Sequence, residues 1–177
     1  MSDTLNTIVA ILLAAILMFV FPLMSVAERS DDMSSLSVQT ATTEFVDNSR
    51  AVGKITMANY QKLVSTISAT GNTFDIEMEV KILDENVGKK SAWTTGTVIG
   101  ENIYYSVYTA QILEVLMAEN GTSSYNMSEG DILSVSVRNT NKTMAQTIRS
   151  AFYSISGNDT YQISAQHSGI VTATGSN

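Results

Sequence analysis

The chain has 177 residues, 17 acidic against 10 basic side chains, a formal charge of -7, one His and no Cys. The missing thiols exclude disulfides, thiolate metal sites and a cysteine nucleophile, and the acidic balance argues against phosphate-backbone binding. No catalytic constellation or phosphate loop stands out, so neither an enzyme, a cofactor nor a nucleic-acid partner is expected.

The strongest signal comes first. Residues 8–24, IVAILLAAILMFVFPLM, carry no charge, and the uncharged run continues through Ala27. Twenty helical residues at about 1.5 Å each span roughly 30 Å, the hydrocarbon thickness of a bilayer. No polar face interrupts the run, as one would in a water-soluble helix. Residues 1–27 therefore read as a short tail and a transmembrane helix, with Ile8, Leu12, Ala15, Phe19 and Leu23 as anchor residues and membrane lipid as the first partner. A cleaved signal peptide is the competing reading, since Ser25, Val26 and Ala27 are small enough for cleavage before Glu28. The start, MSDTLNT, has Asp3 but no Lys or Arg, which favours a retained anchor. A short tail without basic residues points inward, and the remaining chain is then extracytoplasmic on a bacterial cell membrane.

Residues 28–53 read as a helical stalk. Val38, Ala41 or Thr42, Phe45, Ser49 and Val52 recur at helical spacing in a Ser/Thr-rich stretch without Pro or Gly before Gly53. A loose linker is the alternative over residues 30–39. A stalk in water must cover such a stripe with its own head or with a neighbouring subunit. Val38, Phe45 and Val52 are accordingly the expected assembly stripe, for a homo-oligomer or for other subunits of the same kind.

Residues 54–177 read as the head. Thr56 caps a helix with Tyr60, Leu63, Val64 and Ile67 on one face, ended by Gly71 and Asn72. Phe74, Ile76, Met78, Val80 and Ile82 alternate with Asp75, Glu77, Glu79 and Lys81, a strand with one buried and one wet face. Residues 84–90 read as a loop and residues 93–99 as a strand. Thr109 caps a short helix facing inward with Ile112, Leu113 and Leu116, or else a long strand runs on from Ile103. Residues 120–124 are a loop. The turn Glu129, Gly130, Asp131 feeds a strand with Leu133, Val135 and Val137 on one face. A helix follows, with Met144, Ile148, Ala151, Phe152 and Ile155 inward, closed by Gly157. Tyr161, Ile163 and Ala165 begin a last strand, with a bulge at Ser168 and Gly169 and a frayed tail from Thr172. The sum is an α+β protein: a long N-terminal transmembrane and stalk helix, then a head with a mostly antiparallel four- to five-stranded sheet packed against helices.

Few head residues suggest chemistry. Asp75, Glu77 and Glu79 sit nearly 7 Å apart at period two, too far to share one cation, so they read as a solvated face. His167 beside Ser168 lacks the oriented third group that nucleophilic catalysis needs. Trp93, Tyr104, Tyr105 and Tyr108 form a candidate binding face for a sugar or a partner of unknown identity.

The layout of tail, apolar helix, helical stalk and compact head resembles the type IV pilin-like proteins. The stretches TTEFVDNSRAVGKITMANYQKLVSTISATGNTFDIEMEV, GTVIGENIYYSVYTAQIL, EGDILSVSV and GNDTYQISAQHSGIV are similar to membrane-anchored proteins of Firmicutes that accompany Tad-type pilus machinery. The resemblance implies a non-enzymatic surface component that works by helix packing and head contacts. Pilin precursors carry a Gly at the prepilin-peptidase cut and a Glu five residues into the mature helix. This chain has no Gly before the apolar run and no Glu within it. The resemblance therefore implies an accessory or minor subunit. The alternative is a membrane-tethered ligand-binding module, and behind it a secreted enzyme released by cleavage after Ala27.

Overall fold

The computed structural model describes residues 2–83, 104–118, 124–153 and 162–176. One helix, α1 (Ser2–Val52), takes up the first 51 residues without a break and contains Pro22. The linker expected as an alternative over residues 30–39 is helical throughout. The helix ends at Gly53, whose positive φ of 73° reverses the chain. A Cβ at Gly53 would lie 2.0 Å from the Ala173 carbonyl oxygen, so no other residue fits there.

The rest of the described chain folds as β1 (Lys54–Thr56), α2 (Met57–Ser68), β2 (Phe74–Leu83), β3 (Tyr104–Tyr108), α3 (Thr109–Met117), β4 (Ser124–Asn126), β5 (Ile132–Asn139), α4 (Met144–Tyr153) and β6 (Ser164–Ile170). β2, β3, β5 and β6 form a four-stranded sheet in the order β3-β2-β5-β6, and β1 pairs with β4 in a second small sheet. All these pairings are antiparallel. The expected α+β class, the long apolar helix and the antiparallel sheet are present. The β1–β4 pair was not expected, because three-residue strands carry no readable alternation.

The upper part of α1 packs across β6 and β5, and α2 lies alongside it. Its buried residues step by three or four: Ala27, Asp31, Ser34, Val38, Ala41 and Thr42, Phe45 and Val46, then Ser49. Several are small or hydroxylated, which lets the helix approach the sheet closely. The Thr42 hydroxyl donates to the Val38 carbonyl at 2.7 Å and the Ser34 hydroxyl to the Ser30 carbonyl at 2.8 Å. Each hydroxyl is thus satisfied inside the helix before it is buried. Val38, Ala41, Phe45 and Val46 join Leu63, Ile67, Met78, Val80, Ile112, Leu133, Val135, Val137 and Ile163 in one core. The stalk expected over residues 28–53 thus shares one core with the head through Val38, Ala41, Phe45 and Val46.

Other details differ from expectation. Tyr108, not Thr109, is the N-cap of α3, and the Gln111 side chain accepts from the Tyr108 backbone N–H at 3.0 Å. Thr109 instead stitches α3 to β2: its hydroxyl accepts from the Met78 N–H at 2.6 Å and donates to the Met78 carbonyl at 3.2 Å. Within residues 144–150 of α4 the buried positions are Ala145 and Gln146, Ile148 is half-buried and Met144 is exposed, while the expected inward side chains of Ala151 and Phe152 lie outside the described residues. A Thr143 cap sets this phase, its hydroxyl accepting from the Gln146 N–H at 3.2 Å. No bulge interrupts β6, which pairs in register from Ser164 to Ile170. Ile163, Ala165, His167, Gly169 and Val171 keep a single inward phase, with His167 against Asp47 and Gly169 against Arg50 of α1. The tail is not frayed: Thr172 N–H donates to the Arg50 carbonyl at 3.1 Å and Gly175 N–H to the Met127 carbonyl at 2.9 Å. The loop expected at residues 84–90, the strand at 93–99, and Tyr161, Ile155 and Gly157 lie outside the described residues.

Candidate functional site

The anchor residues share one environment. Ile8, Leu12, Phe19 and Leu23 are 64, 58, 72 and 46 % exposed, and Ala15 is exposed as well. No described residue buries the apolar window of α1, and among the described residues this one helix can cross a membrane by length and composition. In water, so many exposed large side chains on one helix would be very unfavourable, at about 25 cal/mol per Å².

The assembly stripe divides. Val38 and Phe45 are buried in the head core at 0 and 4 % exposure, while Val52 is 53 % exposed. The cover over Val38 and Phe45 is intramolecular, so these two are unavailable to a partner. The phase places the core on that side, and the apolar residues left uncovered on the upper helix are Met33, Leu36 and Val52.

The aromatic face also divides. Tyr104 is opposite Leu83 and Tyr108 opposite Glu79, on the wet face of the sheet; Tyr105, opposite Ile82, belongs to the other face. Trp93 lies outside the described residues. What the wet face does collect is a shallow depression of about 430 Å³, lined among others by Glu77, Glu79, Tyr108, Ser134, Ser136 and Arg138. Its charges are matched. Arg138 Nη2 stands 3.4 Å from Glu77 Oε2, and the Ser106 hydroxyl donates to Glu79 Oε1 at 2.6 Å. Short hydroxyls, a carboxylate–guanidinium pair and one exposed ring suit hydrogen bonding to a hydroxyl- or amide-bearing ligand. Among the described residues no cluster of three or more His, Asp or Glu is placed to hold a metal ion.

His167 sits at the helix–sheet seam, its Nε2 3.4 Å from Asp47 Oδ1. Asp47 also accepts from Arg50 Nε at 2.8 Å. The Arg50 hydrogen bond, aided by His167, holds the Asp47 carboxyl below its ordinary value. Burial raises the Tyr60 and Tyr125 hydroxyls, with Asp75 and Asp131 adding to it. Asp47 and His167 lie at the seam between α1 and β6.

A second group was not apparent in the sequence. Where α1 leaves its apolar window, Glu28 Oε1 accepts from Arg149 Nη2 at 2.5 Å and Asp31 Oδ2 from the Thr143 hydroxyl at 2.6 Å. The partners lie more than a hundred residues apart in the chain. One signal existed: stepping back from Val38 by helical spacing reaches Ser34, Asp31 and Ala27.

The chain matches no known protein family, no curated protein and no solved structure.

Proposed function

We propose that this protein is a single-pass, membrane-anchored, pilin-like accessory subunit of a bacterial surface pilus or envelope assembly, with its head outside the cell membrane. One observation carries the reading. A single unbroken helix is bare and apolar in its first half and is a core element of an antiparallel α+β head in its second half. Such a rod ties the head to the membrane without a flexible joint, which suits a subunit that transmits position. Lateral contacts with like subunits fall to the anchor in lipid, where Ala14 and Ala15 permit close helix approach, and to the exposed Met33, Leu36 and Val52 above it.

Two measurements test this. The full chain is expected in the membrane fraction, with the head cleaved by protease added outside intact cells. A soluble full-length chain, or a head protected until the cells are opened, ends the proposal. A cysteine at Leu36 or Val52 is expected to give a cross-linked dimer or a cross-link to another envelope protein. The second reading, a tethered ligand-binding module, is favoured by the wet-face depression. Glycan or peptide binding lost in Tyr108→Ala and Ser136→Arg, without any cross-linked product, would select it.

A further inference from the structure

The anchor helix is a ruler for the head. Thr143 and Arg149 contact it at Asp31 and Glu28, and Thr70 lies beside Met33 and Ser34. At the other end, Thr172 meets Arg50 and Met127 meets Gly53. The head therefore has an underside, made of the turn before β2 and the turn before α4, and a distal end, made of the turn before β5 and the C-terminal tail.

The underside is close to the lipid. If residues 8–27 fill the hydrocarbon, Asp31 stands about 6 Å beyond it. Headgroup layers are roughly 5–8 Å thick on each side. Burial by the head begins at Ala27, 4 % exposed, directly after the exposed Val26. No length of bare helix separates the two.

The chemistry of this end fits the layer. Its turns are built from interlocked amides and hydroxyls: Asn141 Oδ1 accepts from the Thr73 N–H at 2.9 Å and Asn141 Nδ2 donates to Asn72 Oδ1 at 3.0 Å. Beside them an open, mostly apolar groove of about 410 Å³ runs along α1, lined by Val26, Arg29, Ser30, Met33, Ser34 and Thr70. It begins where the exposed apolar surface of the anchor ends. Val26 can meet the upper acyl chain of a phospholipid, Arg29 stands about 3 Å beyond the hydrocarbon, toward the phosphate, and Met33 lies farther out, against the headgroup.

We propose that the underside of the head is a lipid-docking surface, seated in the headgroup layer of the leaflet the anchor leaves, with a phospholipid in the groove between α1 and Thr70. The proposal rests on the membrane reading above and goes beyond it, since an anchor alone leaves the head free in water.

The natural chain has no Cys, so single probes are simple to place. Full-length Ile16→Cys, Met33→Cys, Lys142→Cys and Glu129→Cys are labelled with an environment-sensitive fluorophore and reconstituted in phosphatidylcholine vesicles. The last three substitute exposed residues, and their unfolding temperatures are checked against the parent chain. With nitroxide on the lipid headgroup, the probes at Met33 and Lys142 are expected to be quenched about threefold more than the distal one at Glu129. With nitroxide deep in the acyl chain, the probe at Ile16 is quenched most. Quenching at Ile16 with Lys142 no different from Glu129 overturns the docking surface alone, and so does quenching at Met33 without Lys142. Absence of quenching at Ile16 overturns the membrane reading and this inference together.

Discussion

The two halves of α1 are one continuous helix with opposite surfaces. From Ile8 to Val26 the side chains are mostly large and apolar, and no described residue buries them; above Ala27 they are often Ser, Thr or Asp, and a face of them is sealed under the sheet. Hydrophobicity along this helix does not rank burial by protein. By length and composition the apolar half can sit in lipid without any tertiary partner, while the upper half is buried because its small, internally bonded residues let a sheet come close.

Substitutions can break this contrast. Phe45→Ala should destabilise the head most, by about 3–5 kcal/mol, because it empties a packed site, whereas Phe19→Ala should leave the head's thermal unfolding unchanged. The reverse contrast is expected for charge. Ile16→Arg should cost about 2.5–3.5 kcal/mol of membrane insertion and shift the chain out of the membrane fraction, while Leu36→Arg on the exposed upper helix should not. Asp31→Ala should cost about 1–3 kcal/mol of head stability in denaturant titrations, since it leaves the buried Thr143 hydroxyl without its acceptor.

Smaller effects sharpen the picture. The buried Ser49 hydroxyl finds no partner among the described residues. Ser49→Ala should therefore be neutral or stabilising by up to about 1 kcal/mol in thermal unfolding. The smallest effect is at Asp47. Its carboxyl is held below the ordinary value of 3.8, so its contribution is complete above that pH and is lost as the pH falls through the folded value. Asp47→Asn should therefore cost a little stability near neutrality, and the difference from the parent chain should vanish as the pH falls through the folded value in acid-unfolding curves.

Much of this was legible in the chain. The uncharged run at residues 8–27, the alternation from Phe74 to Ile82 and the Leu133, Val135, Val137 face are local patterns, and each reappears as a helix or strand. The apparent shift in β6 misled because His167 and Gly169 break the hydrophobic pattern without breaking the backbone phase. Gly169 is small where the Arg50 side chain crosses: a Cβ there would stand 2.7 Å from Arg50 Cδ. Likewise Asp31 reads as a solvated charge until α4 arrives with Thr143.

By itself, the sequence determined where the helix is apolar enough for lipid, which strands alternate and where the chain must turn, since periodicity and glycine conformations act over a few residues. Only the tertiary structure decided that the Val38 and Phe45 stripe is filled by the molecule's own sheet, that the tyrosines divide between two faces, and that the head begins at Ala27. Those outcomes depend on contacts between residues that can lie more than a hundred positions apart, and no local pattern encodes which distant surface arrives.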